Sequence, residues 1–129
     1  MKKIIFLVDD DPIFQFGVER IVRSMSQLIE LKVFNHGVAV LDFFDQAKDE
    51  ELPDIMLLDL NMPIMNGWQV IQKMTEQNIH KIASPMRIYI CSSSVNPADI
   101  QKVKRLNTVT DYIIKPISKA ELEKLLETV

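Results

Sequence analysis

Asp9 and Asp10 follow the apolar run Ile4–Val8, Asp59 follows Ile55–Leu58, Ser92 follows Arg87–Cys91, and Lys115 follows Tyr112–Ile114. Each run has the length and composition of a strand buried on both faces, as in a parallel sheet. Polar groups closing such strands collect at the C-terminal edge, where open α/β sheets place their chemistry. Two carboxylates about 4 Å apart repel by roughly 4 kcal/mol at an effective dielectric of about 20. Three at one edge therefore require protonation or a cation. Lys115 balances one charge, and a divalent ion could balance the rest. Oxygen-only ligands on a partly open loop suit Mg2+ or Mn2+, which keep waters and share phosphate oxygens. A metal, an ammonium and a hydroxyl around one carboxylate can neutralise a phosphoryl group in transfer, with Asp59 as the nucleophile.

The elements that must position these groups alternate along the chain. After the first strand, Asp11 caps a helix whose first position is Pro12, expected to run to about Met25 with Ile13, Phe14, Gly17, Val18, Ile21 and Val22 at helical spacing. Leu31–Phe34 reads as a second strand, and Gly37–Ala47 as a helix turning Val40, Leu41 and Phe44 inward. The central strand Ile55–Leu58 ends at Asp59. Pro63 stops any ladder, and Asn66-Gly67 starts a helix carrying Val70, Ile71 and Met74. Arg87–Cys91 is a fourth strand. Asn96-Pro97 opens a helix through about Leu106, with Asn107 expected to end it in a left-handed conformation. After the fifth strand, Ser118 and Glu121 have capping-box spacing ahead of Leu122, Leu125 and Leu126. Strand–helix alternation five times over, with short right-handed connections, favours one open parallel sheet with helices on both faces. No linker or low-complexity tract interrupts it, so residues 1–129 read as one domain.

Composition narrows the function classes. With 129 residues, 47% of them hydrophobic, the chain has room for one compact core. A net charge of −3 gives no general attraction to nucleic acid or an anionic membrane, and Lys102, Lys104 and Arg105 read as a solvated helix face. Cys91, the only cysteine, excludes an internal disulfide or a cysteine zinc site and reads as a small buried hydrophobe. Asp9 ends the first apolar run too early for a signal peptide, and no run approaches the roughly 20 apolar residues of a membrane span. A cytoplasmic protein is expected. His36 and His80 read as surface or loop residues.

Val8-Asp9-Asp10-Asp11-Pro12, Leu58-Asp59-Leu60-Asn61-Met62-Pro63 with Asn66-Gly67, Cys91-Ser92 and Asp111-Tyr112-Ile113-Ile114-Lys115-Pro116 form a set whose order and spacing are highly specific. In this set the chain closely resembles the receiver domain of two-component response regulators, over nearly its whole length. The resemblance implies the flavodoxin-like fold of the chemotaxis response regulator, a doubly wound five-stranded parallel sheet of order 2-1-3-4-5. It implies that Asp59 accepts a phosphoryl group from the phosphohistidine of a sensor histidine kinase or histidine phosphotransfer protein. Mg2+ (Mn2+ as substitute) would bind Asp10, Asp59 and the backbone carbonyl of Asn61, with Asp9 acting partly through water. Lys115 would contact the phosphoryl group, Ser92 would swing toward it, and Tyr112 would follow inward. Asn61 and Ser94 lie where the lifetime of the phosphorylated state is tuned. The face made by the fourth helix, fifth strand and fifth helix would then be read by a downstream protein. With the sequence ending after the fifth helix, output is expected through another protein or a domain outside it.

Four departures stand out. Ser92 replaces the more usual threonine and keeps the hydroxyl. Ser93 occupies a position generally given to alanine or glycine. Thr108-Val109-Thr110 precedes Asp111-Tyr112 in place of a frequent Gly-Ala pair, and Gln77–Pro85 is longer than usual. Two other readings compete. Asp9-Asp10-Asp11 loosely fits the Asp-x-Asp start of a haloacid-dehalogenase-type phosphatase with Asp9 as nucleophile. A scaffold that signals without phosphorylation would keep the fold and leave Asp59 idle.

Overall fold

The computed structural model describes residues 2–77 and 86–129; His80 and most of the lengthened Gln77–Pro85 segment lie outside the described residues. Five strands, β1 (Lys3–Val8), β2 (Ile29–Phe34), β3 (Ile55–Leu58), β4 (Arg87–Ser92) and β5 (Asp111–Ile114), pair in parallel in the order β2-β1-β3-β4-β5. The described helices are α1 (Pro12–Ser24), α2 (Gly37–Gln46), α3 (Gly67–Glu76), α4 (Pro97–Lys104) and α5 (Lys119–Glu127), with a short 3-10 turn at Asp49–Glu51.

Strand alternation divides the core into two layers. Phe6, Val8, Met56, Leu58, Ile88 and Ile90 point to one face and meet Val40, Phe44, Val70, Met74 and Val103 of α2, α3 and α4. Ile5, Leu7, Ile55, Leu57, Tyr89 and Cys91 point to the other, against Val18 of α1 and Leu122 and Leu126 of α5. All four residues of β3 are buried, as a strand covered on both faces requires. Tertiary pairing lengthens β2 by two residues beyond the expected Leu31 start, because Lys3 and Ile4 of β1 pair with Ile29 and Glu30.

The helix starts follow the cap chemistry. Asp11 Oδ1 accepts from Ile13 N–H, Asn96 Oδ1 from Ala98 N–H, and the reciprocal box of Ser118 and Glu121 is formed at 3.0 and 3.1 Å. Asn66 and Gln69 make a second such box at the start of α3. Of the α1 residues at helical spacing, Val18 is buried, Phe14, Ile21 and Val22 pack partly buried against the core, and Ile13 is 81% exposed. One expectation is corrected. Asn107 does not adopt a left-handed conformation. Helix α4 instead stops at Lys104, with Arg105 N–H within bonding range of the Gln101 and Lys102 carbonyls.

Candidate functional site

The sheet ladder itself delivers the site residues. One rung past each strand end, Asp9 N–H donates to Phe34 O at 3.0 Å, Asp59 N–H to Val8 O at 3.0 Å, and Lys115 N–H to Ser92 O at 2.9 Å. The β2-β1-β3-β4-β5 order therefore fixes the backbones of the two acids and the lysine in register at one edge. Asp9, Asp10 and Asp59 each present a carboxylate oxygen, and the three oxygens lie within 4.8 Å of one another. Lys115 Nζ sits 2.7 Å from Asp9 Oδ2 and 3.5 Å from Asp59 Oδ2. Asp9 and Asp59 are buried, while Asp10 is exposed at the mouth.

Charge in this pocket is under-compensated. Three carboxylates against one ammonium leave a balance of −2 if all are ionised. Burial, and next the charge of Asp9, push the Asp59 carboxyl above the ordinary carboxylate range, while Lys115 and the Asn61 N–H pull the other way. Burial alone would lower the Lys115 ammonium, but the contacts with Asp9 and Asp59 outweigh it and raise the group. Asp9 Oδ1 accepts from Asp11 N–H at 2.9 Å, and Asp59 Oδ1 from Asn61 N–H at 3.4 Å. Asp9 Oδ2 is buried without a hydrogen bond. Its approach to Lys115 has the distance of an ion pair but not the angles of a hydrogen bond. A buried anionic oxygen with a spare lone pair, among other hard oxygens, fits a small divalent cation such as Mg2+ or Mn2+.

The remaining expected residues lie on β4, on β5 and on the loops that follow β3 and β4. Ser92 is fully buried, and its Oγ accepts from Ser94 N–H at 3.2 Å. Half-buried Tyr112 donates its hydroxyl to Ser94 O at 2.7 Å, and Ser94 Oγ–H donates to Asp99 Oδ2 at 2.8 Å. Asn61 is exposed beside Asp59. Neighbours that sequence reading missed complete the setting. Gln15 Nε2 donates to Asp9 O and to Asn35 Oδ1, tying α1 to the loop after β2. The Lys115 ammonium lies 4.5 Å from the centre of the Phe14 ring, a cation–π contact that joins it to α1. His36, read as a surface or loop residue, lies in the bend before α2 and caps that helix, its Nδ1 accepting from Ala39 N–H. Glycine is required at position 67, because a Cβ there would lie 2.4 Å from the carbonyl oxygen of Asp59. The first turn of α3 thus packs directly against the backbone carrying the buried acid.

A doubly wound parallel sheet with an acidic triad, a lysine and a hydroxyl at its C-terminal edge defines a phosphoryl-accepting signalling class. The chain matches the family model of the response regulator receiver domain over residues 5–127, and it belongs to that family. It is 28% identical over 123 residues to the nitrate/nitrite response regulator protein NarL of Escherichia coli K12, covering 95% of this chain and 52% of NarL. It is 31% identical over 124 residues to a probable cyclic di-GMP phosphodiesterase of Vibrio cholerae, covering 96% of this chain and 26% of that protein. The chain thus spans about half the length, or less, of these curated relatives.

Among solved structures, a two-component response regulator from Cytophaga hutchinsonii superposes with a TM-score of 0.86 at 27% identity, covering 98% of this chain and 95% of that one. The receiver domain of a sensor histidine kinase from Pseudomonas aeruginosa PAO1, solved with magnesium in its active-site cleft, shares the fold at a TM-score of 0.78 and 20% identity. That match covers 99% of this chain and 97% of that one. Nothing observed favours the phosphatase alternative. Asp9, its would-be nucleophile, is 1% exposed, with one oxygen on Asp11 N–H and the other against Lys115. No helix among the described residues is long and apolar enough to cross a membrane.

Proposed function

We propose that residues 1–129 act as one cytoplasmic receiver unit in which Asp59 accepts a phosphoryl group from the phosphohistidine of a sensor kinase or histidine phosphotransfer protein. The observation that carries this reading is the single ammonium of Lys115, 2.7 and 3.5 Å from two buried carboxylates in a cluster of three. In the transfer, an Asp59 oxygen forms the new P–O bond as the P–N bond to histidine breaks, and the histidine nitrogen leaves with the bond's electron pair. Asp10, Asp59 and the Asn61 carbonyl would hold Mg2+, or Mn2+ in its place, with Asp9 acting through water. The ion supplies charge neutralisation for the phosphoryl oxygens. Lys115 pairs with one of those oxygens, exchanging part of its contact with Asp59. Ser92 turns its hydroxyl toward another, and Tyr112 follows, changing the α4–β5–α5 face read by a downstream protein.

Asn61, exposed beside Asp59, and Ser94, bonded to Ser92, set how readily water reaches the acyl phosphate. Beyond this self-phosphorylation and its hydrolysis, the unit turns over no substrate. The test is incubation with Mg2+ and acetyl phosphate, followed by intact mass and phosphosite mapping. Wild type should gain one phosphoryl group at Asp59, Asp59→Asn none, and Lys115→Ala should react much more slowly. An unlabelled wild type that binds its partner as well as Asp59→Asn does would overturn the reading in favour of a phosphorylation-independent scaffold.

A further inference from the structure

Ser94 makes four hydrogen bonds, and they lead to four different residues. Its N–H donates to Ser92 Oγ at 3.2 Å, and its carbonyl accepts from the Tyr112 hydroxyl at 2.7 Å. Its Oγ–H donates to Asp99 Oδ2 at 2.8 Å, while the same oxygen accepts from Asn96 N–H at 3.3 Å. Both donors of the serine are thus engaged, and each of its two oxygens accepts one bond.

The bond to Asp99 is not what a helix start would select on its own. Asp99 is the third residue of α4, after the cap Asn96. At the same position in α3 and α5, Gln69 and Glu121 reach back to the N–H of their own cap residues. Asp99, one methylene shorter, bonds Ser94 instead, and the Ser94 hydroxyl oxygen satisfies the cap N–H that the box would have served. The serine is inserted as a relay between the helix and its cap. The helix start is thereby made continuous with the loop that holds the Ser92 hydroxyl and with the Tyr112 ring.

We propose that Asp99 is a positioning residue of the switch, fixing Ser94 so that movement of Ser92 toward a phosphoryl group on Asp59 is carried into the N-terminus of α4. The inference rests on the phosphoacceptor reading above. Drawing Ser92 Oγ toward Asp59 pulls on Ser94 N–H. Because the Ser94 hydroxyl is held at once by Asp99 and Asn96, the serine cannot follow alone, and α4 moves with it. With alanine at 99 the loop adjusts locally and α4 stays in place.

The experiment compares wild type, Asp99→Ala, Asp99→Asn and Ser94→Ala by 1H–15N NMR before and after acetyl phosphate and Mg2+, with uptake measured by intact mass on the same samples. Wild type and both Asp99 variants should take up the phosphoryl group, and the shifts of every sample, Ser94→Ala included, are compared at the occupancy its intact mass gives. The phosphorylation-dependent shifts of the Ala98–Gln101 amides should fall to less than half in Asp99→Ala and Ser94→Ala. They should persist in Asp99→Asn, which keeps the accepting oxygen. Wild-type-like shifts in phosphorylated Asp99→Ala would overturn the proposal. So would a loss in Asp99→Asn equal to that in Asp99→Ala, since charge at the helix terminus would then be the cause. If wild type takes up no phosphoryl group, the phosphoacceptor reading fails separately. The relay is then judged on unphosphorylated protein, where Asp99→Ala must shift the Ser92 and Tyr112 amides and Asp99→Asn must not.

Discussion

Ile64 is held at a φ of 71°, alone among the described non-glycine residues in that region, and Met65 N–H bonds Pro63 O across it at 2.7 Å. A three-residue turn of this hand is strained, and a β-branched residue in it costs about 1–2 kcal/mol. The side chain is 90% exposed and recovers little of that in packing. Ile64→Gly should therefore raise stability by about 1 kcal/mol in urea unfolding, after the extra unfolded-state entropy of glycine is set against the relieved strain. A loss of stability would mean that the side chain makes contacts the exposure denies. Cys91 gives the pH-dependent counterpart. Burial pushes its thiol up to about 12 from an ordinary value of 9.0. Between those values the unfolded chain has lost the proton that the folded chain keeps, so folding stability falls as pH rises through that window. Urea unfolding at about pH 8 and about pH 10.5 should show wild type losing stability relative to Cys91→Ala, by up to a few kcal/mol. The charged site residues were legible in the sequence because an acid or lysine closing an apolar run is conspicuous. Gln15, Phe14 and Asp99 were not, because each acquires its role from a partner that only the tertiary arrangement brings near.

At the scale of elements, the same substitution should act with opposite sign in two helices. Gly17 lies in the middle of α1, and a Cβ there would meet nothing within 4 Å. Gly17→Ala should stabilise the helix by about 0.5–1 kcal/mol through backbone entropy alone. Gly67 opens α3, where a Cβ would fall 2.4 Å from Asp59 O and 2.9 Å from Leu60 Cα, both backbone atoms that cannot rotate away. Gly67→Ala should cost about 1–3 kcal/mol and also slow labelling by acetyl phosphate, since the backbone that must yield carries Asp59. Thermal melts and labelling rates read the two effects separately. An unchanged labelling rate in Gly67→Ala would show that the loop can absorb the clash without moving the acid. Helix starts were readable from cap residues, whose bonds are local. The exposure of Ile13 was not, because helical spacing says which residues share a stripe but not which of them a partner covers. The end of α4 was misplaced for a different reason: Arg105 closes the helix with its own N–H and makes a left-handed Asn107 unnecessary.

For the whole molecule, five strand–helix alternations and the right-handed crossover rule sufficed for the parallel sheet, while the family resemblance supplied the order β2-β1-β3-β4-β5. That order has an energetic consequence beyond topology. It forces Asp9 and Asp59 into adjacent ladder positions, so folding assembles an anionic pocket that the unfolded chain does not have. Lys115 offsets part of the repulsion, and the remainder destabilises the native state wherever no cation binds. In EDTA, Asp59→Asn should therefore unfold at a higher temperature than wild type, by a margin on the order of 1 kcal/mol. Mg2+ should reverse the ranking. Binding to the native state alone adds about 2.7 kcal/mol at a hundredfold excess over the dissociation constant, and the variant, lacking one carboxylate, should gain much less. Sodium chloride at matched ionic strength controls for general screening. Equal Mg2+ effects on both proteins, or a variant less stable than wild type in EDTA, would mean that the three acids do not act as one charged unit.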